Sequence, residues 1–205
     1  MYLARILYPV ESLGPGKRIG IWFCGCPHHC NGCSNPELWD FDSKYSISLQ
    51  NALNLIYSIS DSNIVDGFTI TGGEPFFQPE ALYSLVDAIY NISDDILVYS
   101  GYTLNELREQ QSCETDHVLE KISVLIDGRY IHERNNGCSL RGSDNQQIHF
   151  ISGKHKDKYD LYMQQPNRIQ NFTIGNSVIS VGIHKADYAK NFEQNVGNTE
   201  LRKTK

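Results

Sequence analysis

Residues 16–33 read GKRIGIWFCGCPHHCNGC, a strand-like run that leads directly into a loop with four cysteines. Ile19, Ile21 and Phe23 alternate along the run and Trp22 falls on the opposite face, which predicts a β-strand. The loop that follows is rich in Gly, Pro and Asn, as loops are. The stretch therefore places a cysteine cluster at the carboxyl end of a predicted strand.

The next hundred residues alternate between strand-like and helix-like patterns. After a first strand within 1–10, the predicted strands are 67–71 (GFTIT), 95–101 (DILVYSG) and 122–128 (ISVLIDG), and the predicted helices are 46–60, 78–91 and 103–110. This β-α-β-α-β-α-β order implies a parallel sheet with right-handed crossovers. Loops that follow parallel strands gather at one edge of the sheet. The cysteine loop, TGGEP (71–75), SGYT (100–103) and IDG (126–128) all follow predicted strands, so we expect them to share one rim.

The composition is that of an ordinary soluble chain of 205 residues, with 40% apolar and 20% charged residues. A formal charge of −6 argues against nucleic acid as the main partner. The apolar N-terminal stretch is too short for a signal peptide or a membrane span, so we expect no membrane partner and a cytoplasmic location. Thiols stay reduced there, and clustered cysteines then indicate a metal rather than disulfides.

Cys26, Cys30 and Cys33 have C-x₃-C-x₂-C spacing. Three thiolates on one tight loop can bind three corners of a [4Fe–4S] cluster and leave the fourth iron open to a substrate or cofactor. The alternative is a structural zinc site with a histidine or Cys24 as fourth ligand, although zinc sites are usually built from two separated pairs. For Cys24 three interpretations stay open: a buried thiol, a fourth ligand, or no specific role.

The cysteine loop, the turn Thr71-Gly72-Gly73-Glu74-Pro75 one βα unit later, and the α/β order together resemble the radical S-adenosylmethionine (SAM) superfamily. The resemblance implies a partial (β/α) barrel and a [4Fe–4S] cluster on Cys26, Cys30 and Cys33. It also implies that the amino and carboxylate groups of SAM chelate the fourth iron. Residues 72–75 would then contact the methionine amino group, with Gly72, Gly73, Glu74 and Pro75 as the candidates.

A narrower resemblance comes from CPHHCNGCSNPELWDF (26–41), in which Gly32 stands where the superfamily usually has an aromatic residue. With YSGYTLNEL (99–107), VLIDGRY (124–130) and LRGSDNQQIH (140–149), it resembles the activating enzymes of anaerobic (class III) ribonucleotide reductase. This likeness implies that a flavodoxin or ferredoxin donates one electron and that SAM is then cleaved to methionine and a 5′-deoxyadenosyl radical. It also implies that this radical takes a hydrogen atom from a glycine of a partner glycyl-radical enzyme.

The SGYT loop offers three further candidates for SAM binding, Ser100, Tyr102 and Thr103. A hydroxyl at this position could hydrogen-bond the ribose or the carboxylate of SAM. For Thr103 a helix N-cap is an equal alternative, because Glu106 three residues later completes a capping box.

Two later loops carry candidates for contacts with SAM or with the partner. Asp127 would orient a ligand or form an Asx turn with Gly128, and the turn is slightly favoured. In the polar stretch before the strand-like QIHFI (147–151), Arg141, Ser143 and Asn145 are the candidates; Arg141 suits a carboxylate. A solvated loop is the competing interpretation.

The core is assigned to residues 1–152. The sequence pattern then changes in an extension that covers residues 153–205. Residues 153–167 are polar and loop-like, 171–183 (NFTIGNSVISVGI) predict a β-hairpin that turns at Gly175-Asn176, and the last twenty or so residues form a polar tail.

Two other functions stay open. One is a radical SAM enzyme acting on a small molecule or peptide, similar to 7-carboxy-7-deazaguanine synthase, with the hairpin as a lid. The other is a metal-binding module without catalysis.

Overall fold

The computed structural model describes residues 1–175, 177–186 and 188. Six strands form one sheet in chain order, and two more form a separate hairpin. The sheet strands are β1 (Leu3–Val10), β2 (Arg18–Phe23), β3 (Gly67–Gly72), β4 (Ile96–Tyr99), β5 (Val124–Asp127) and β6 (Gln147–Phe150), and the hairpin strands are β7 (Ile169–Ile174) and β8 (Ser177–Gly182). Strands β2 to β5 are parallel, as predicted, whereas β1 and β6 are antiparallel edges. The fold is therefore mixed α/β, with a mainly parallel sheet and an antiparallel C-terminal hairpin.

Among the described residues, five α-helices connect or follow these strands: α1 (Leu49–Ser62), α2 (Pro79–Ile89), α3 (Leu104–Glu109), α4 (Cys113–Lys121) and α5 (Lys156–Met163). The first three confirm predicted helices. Ser48 caps α1 by accepting a hydrogen bond from the Asn51 N–H, and proline occupies the first turn of α2, where its missing N–H costs nothing. None of the helices in the described part of the chain is long and apolar enough to cross a membrane.

The two faces of the sheet are covered differently. On one face the alternating residues Ile19, Ile21 and Phe23 pack with the apolar sides of α1, α2 and α4 in the largest buried cluster. On the other face Trp22 belongs to a second cluster, which includes Val181 of β8. The alternation in β2 thus separates a helix-covered face from a face covered by the C-terminal part of the chain.

A buried ion pair lies beneath this second face, at the amino ends of β2 and β4. Arg18 is fully buried and donates from Nε to Thr69 Oγ1 at 2.7 Å and from Nη1 to Asp95 Oδ2 at 2.9 Å. The Tyr159 hydroxyl donates to Asp95 Oδ1 at 2.8 Å, and Lys158 forms a second ion pair with Asp95. Burial alone would raise the pKa of Asp95, but Arg18 and Lys158 outweigh it and the pKa is lowered. The network joins the sheet to α5.

Helix α5 corrects the prediction that residues 153–167 are loop-like. Its hydrophobic periodicity is weak, and Tyr159 is its buried residue. The Tyr159 ring meets Phe150 of β6 edge-on, with 6.0 Å between centroids, and its hydroxyl reaches Asp95, 64 positions away. Contacts distant in sequence therefore hold this helix in place, and the local pattern does not reveal them.

The C-terminal hairpin lies against the end of β1. The Gln170 side-chain oxygen accepts hydrogen bonds from the backbone N–H groups of Glu11 and Ser12, at 2.6 and 2.9 Å. The Ser12 hydroxyl donates to the Val181 carbonyl at 2.9 Å, and the Val181 side chain is only 3% exposed. These contacts fix β8 over the second face of the sheet.

The hairpin itself was predicted, with its turn at Gly175-Asn176. Gly175 has φ +57°, in the left-handed region that glycine tolerates. Asn176 and most of the predicted polar tail lie outside the described residues.

Candidate iron–sulfur site

The cysteine loop begins where β2 ends and is held by backbone hydrogen bonds at its base. The N–H groups of Gly25 and Cys26 donate to the carbonyls of Leu38 and Trp39 at 2.8 and 2.7 Å. The Gly25 carbonyl accepts the N–H of Glu74 at 2.7 Å. The loop is therefore tied both to its own return segment and to the turn after β3.

Cys26, Cys30 and Cys33 are half-buried and border one cavity of about 200 Å³. Burial raises the pKa of the Cys26 and Cys30 thiols. The Cys33 sulfur accepts a hydrogen bond from the Asn35 N–H at 3.4 Å. All six cysteines lie within the described residues, and all are free.

The donor chemistry of these residues fits a [4Fe–4S] cluster. Such a cluster takes one thiolate at each of three irons, so its ligands surround a cubane rather than a single ion. Within the described ranges no three His, Cys, Asp or Glu side chains are grouped about one metal position. Three thiols that face one cavity supply the ligands that a cluster with one open iron needs.

Cys24 lies apart from this cavity. Its side chain is fully buried, and its thiol donates to the Asp40 carbonyl at 3.0 Å. Of the interpretations left open for Cys24, the structure favours the buried thiol, which helps to close the loop from inside.

His28 and His29 hold the loop in shape. The His28 ring meets Tyr102 edge-on at 4.4 Å between centroids, and its Nε2 lies 3.4 Å from Glu74 Oε2. The His29 ring stacks on Trp39 at 4.8 Å. Both rings thus pack against neighbouring side chains of the rim.

The turn after β3 needs both of its glycines. Gly72 has φ +116°, and a Cβ atom there would lie 2.3 Å from the Phe23 carbonyl oxygen. A Cβ on Gly73 would lie 2.4 Å from the Gly25 carbonyl oxygen. Both glycines border the cavity, so the backbone of this turn approaches the cysteine loop as closely as its atoms allow.

The Glu74 carboxylate ties together three segments of the rim. It is 1% exposed and accepts hydrogen bonds from the Phe76 N–H at 3.0 Å, the Ser100 hydroxyl at 2.9 Å and the Gly101 N–H at 2.6 Å. These three donors engage both carboxylate oxygens, and the His28 ring lies beside them with its buried Nε2 making no hydrogen bond to the described residues. The Glu74 side chain acts as a bracket between the cysteine loop, the glycine turn and the loop after β4.

The other candidates near this turn have different surroundings. Ser100 borders the cavity. Tyr102 packs on His28, and Pro75 is buried at the start of a 3₁₀ turn, Pro75–Phe77. Thr103 caps α3, and Glu106 completes the capping box. Of these candidates the structure brings only Ser100 to the cavity wall.

The later candidates organise the loops between β5 and β6. Asp127 accepts from the Leu104 N–H at 2.6 Å, which fixes the start of α3. Arg141 donates to the Gln146 carbonyl at 3.1 Å, and the Ser143 hydroxyl accepts from the Ile131 N–H at 3.1 Å. The Arg141 and Ser143 contacts lie within the loops between β5 and β6, whereas the Asp127 contact joins β5 to α3.

Asn145 also braces this region, since its side chain donates to the Arg129 carbonyl at 2.8 Å. Its neighbour Gln146 reaches the cavity wall, as does Gly142. This loop therefore borders the cavity through Gly142 and Gln146, which are neighbours of the candidates in the sequence.

Sequence reasoning missed several residues of the cavity wall. Tyr99, Tyr130 and Asn135 line it from the sheet and from the loop after β5, and Ile179 to His184 line it from the hairpin. Tyr99 directly precedes Ser100 at a strand end, which is a usable signal. The others follow no motif, because their position depends on how distant segments pack.

Comparison with known proteins agrees with this geometry. Residues 12–149 match the family model of the 4Fe-4S single cluster domain. The anaerobic ribonucleoside-triphosphate reductase-activating protein of Vibrio cholerae is 33% identical over 150 residues, which are 69% of this chain and 94% of that protein.

The proteins of the same name from Escherichia coli K12 and Enterobacteria phage T4 are each 30% identical. Their matches cover 70% and 69% of this chain, and 96% and 90% of those proteins. The matched share of the chain and the family model both lead to one assignment. The chain belongs to the family of anaerobic ribonucleoside-triphosphate reductase-activating proteins, built on a 4Fe-4S single cluster domain.

Proposed function

We propose that this protein is an iron–sulfur radical SAM enzyme that generates a glycyl radical on a partner enzyme. The observation that carries the proposal is the shared cavity, where Cys26, Cys30 and Cys33 face the turn Gly72-Gly73 and Ser100. The open six-stranded sheet is, in this proposal, the partial (β/α) barrel of the radical SAM type.

The three cysteines would hold the cluster, and Gly72 and Gly73 line the same cavity. Once bound and reduced, the cluster supplies one electron that splits SAM into methionine and a 5′-deoxyadenosyl radical, which abstracts a hydrogen atom from glycine. The backbone carbonyls of Gly72 and Gly73 suit an ammonium group, and the Ser100 hydroxyl suits a carboxylate or ribose oxygen.

Glu74 would act indirectly, because its carboxylate is already engaged by donors of the protein. It keeps the glycine turn at a fixed distance from the cysteine loop. Trp22 and the apolar residues of β8 line the cavity and would limit the access of water to a bound cofactor. Exclusion of water matters because a carbon radical reacts with whatever reaches it.

The names of these relatives describe proteins that activate an anaerobic ribonucleoside-triphosphate reductase. We infer that the partner of this chain is a reductase of that type, with a flavodoxin or ferredoxin as electron donor in the cytoplasm. The division into a core of residues 1–152 and an extension of 153–205 also remains a proposal.

Anaerobic reconstitution with iron and sulfide tests the cofactor assignment. We expect cluster absorbance, and release of 5′-deoxyadenosine and methionine when SAM and dithionite are added. Individual replacements of Cys26, Cys30 and Cys33 by Ala should abolish both signals. A protein that retains only zinc, or a variant that still cleaves SAM, would contradict the ligand assignment.

A further inference from the structure

The hairpin β7–β8 forms a wall of the proposed cofactor cavity, although it follows the segment that matches the family model. Residues Ile179 to His184 face the cavity opposite the cysteine loop. Val181 is buried in the cluster around Trp22, and Gln170 anchors the hairpin to the end of β1. The extension therefore contributes directly to the space in front of the cysteines.

A second cavity, of about 450 Å³, adjoins the first and runs between residues 32–37 and β8. We call it the hairpin groove. It shares Cys33, Asn135, Ser180 and His184 with the first cavity, and Val178, 58% exposed, lies at its outer side. The groove thus leads from the protein surface to the third cysteine of the loop.

The junction of the two cavities contains a buried hydrogen-bond acceptor without a donor. Asn135 donates from Nδ2 to the Tyr130 hydroxyl at 3.0 Å and to the His184 carbonyl at 2.9 Å. Its Oδ1 atom is buried and has no hydrogen-bond partner among the described residues. Buried polar atoms are nearly always paired, so this oxygen indicates a ligand that supplies an N–H or O–H group.

Two of the other polar residues at the junction, Ser180 and His184, are uncharged. The Ser180 hydroxyl shares hydrogen bonds with His184 Nε2 and with the Tyr188 hydroxyl, both at 2.9 Å. Burial lowers the pKa of His184, so its ring is neutral near pH 7. Arg5, which borders the groove, forms an ion pair with Glu37. Glu37 and Lys185 also line the groove. Apart from these charged side chains, the junction offers amide, hydroxyl and neutral imidazole groups, which suit the hydrogen-bonding groups of a peptide backbone.

We propose that the hairpin groove binds an extended main-chain segment of the partner enzyme and guides its glycine to the cysteine loop, with Asn135, Ser180 and His184 as the hydrogen-bonding subsite. The inference rests on the proposed function, since it assumes a protein substrate. Its new content is that the C-terminal hairpin selects and positions that substrate.

The test uses the full-length holoenzyme and the anaerobic ribonucleotide reductase from the same source. Asn135→Leu and His184→Leu should each raise the dissociation constant for the reductase about three- to tenfold, the usual effect of losing one or two uncharged hydrogen bonds. The apparent KM in glycyl-radical formation, followed by electron paramagnetic resonance, should rise in parallel. His184→Gln, which keeps a neutral hydrogen-bonding group, should recover part of the affinity. Thr173→Ala, on the exposed side of the same hairpin, is the matched control and should bind like the wild type.

Release of 5′-deoxyadenosine measured without the reductase distinguishes a failure of the groove assignment from a failure of the proposed function. An unchanged dissociation constant in both leucine variants would overturn the groove assignment, and so would a fall in kcat at constant KM. A loss of reductase-free cleavage as large as the loss of activation would also overturn it, because the residues would then act on the cofactor. If the wild type cleaves no SAM, the proposed function fails, while the binding measurement still decides the groove.

Discussion

Replacement of Glu74 by Gln tests whether this carboxylate is a bracket or a cofactor ligand. Gln keeps the shape of Glu but exchanges one acceptor oxygen for a donor NH₂ group. The oxygen Oε2 accepts from the Gly101 N–H, and Oε1 accepts from the Phe76 N–H and the Ser100 hydroxyl. In either orientation of the amide, its NH₂ group therefore faces a backbone N–H.

The size of the effect follows from these contacts. A hydrogen bond to a charged group contributes about 1.5–3 kcal/mol, and a buried donor left unpaired costs about 1–3 kcal/mol. We expect Glu74→Gln to lower the free energy of unfolding by about 2–4 kcal/mol. For a chain of this size that corresponds to a fall in Tm of about 4–16 °C.

Thermal and urea unfolding of the cluster-free protein measures this directly, since no cofactor is then present. Glu120→Gln, the same change at an exposed position of α4, is the control and should shift Tm by less than about 2 °C. If Glu74→Gln melts like the wild type and only its affinity for SAM falls, the carboxylate is a ligand and the bracket is wrong.

Three further variants test other parts of the structure. Asp95→Asn leaves the buried Arg18 without its anion and should cost about 3–5 kcal/mol at pH 7. Because the Asp95 pKa lies below its usual 3.8, this advantage of the wild type should shrink in urea titrations as the pH falls below about 4 and through that lowered pKa; a difference that stays constant to pH 2 would contradict it. Thr103→Ala should cost about 1 kcal/mol by removing the cap of α3, and a severalfold rise in KM for SAM would instead assign Thr103 to the cofactor. Gly72→Ala should lower Tm and block cluster incorporation, because its Cβ would collide with a backbone oxygen; normal cluster loading would refute this.

Local patterns were sufficient for the framework of the site. The alternation of Ile19, Ile21 and Phe23 identified β2 and its two faces, because side chains in a strand alternate whatever the rest of the chain does. The strand-helix order then placed four loops at one rim, and the structure brings Cys26, Gly72 and Ser100 to one cavity there. These features depend on contacts between residues close in sequence, or on the direction of parallel strands.

The features that were not predicted depend on distant contacts. Tyr159 holds α5 through Asp95, and Asn135 meets the His184 carbonyl 49 positions away. No spacing rule relates such pairs. The role of the Glu74 side chain was hidden for a similar reason, since a GGEP turn looks the same whether its carboxylate faces a ligand or the loop after β4.

The ion pair of Arg18 and Asp95 has a consequence for the evolution and engineering of the extension. Tyr159 and Lys158, from the C-terminal part, supply two of the groups that compensate the buried charge of Asp95. A protein truncated after residue 152 would lack Tyr159 and Lys158, so the buried Asp95 carboxylate would lose both of these contacts. Helix α5 and the Arg18–Asp95 pair should therefore be exchanged together when the extension is swapped between homologous genes.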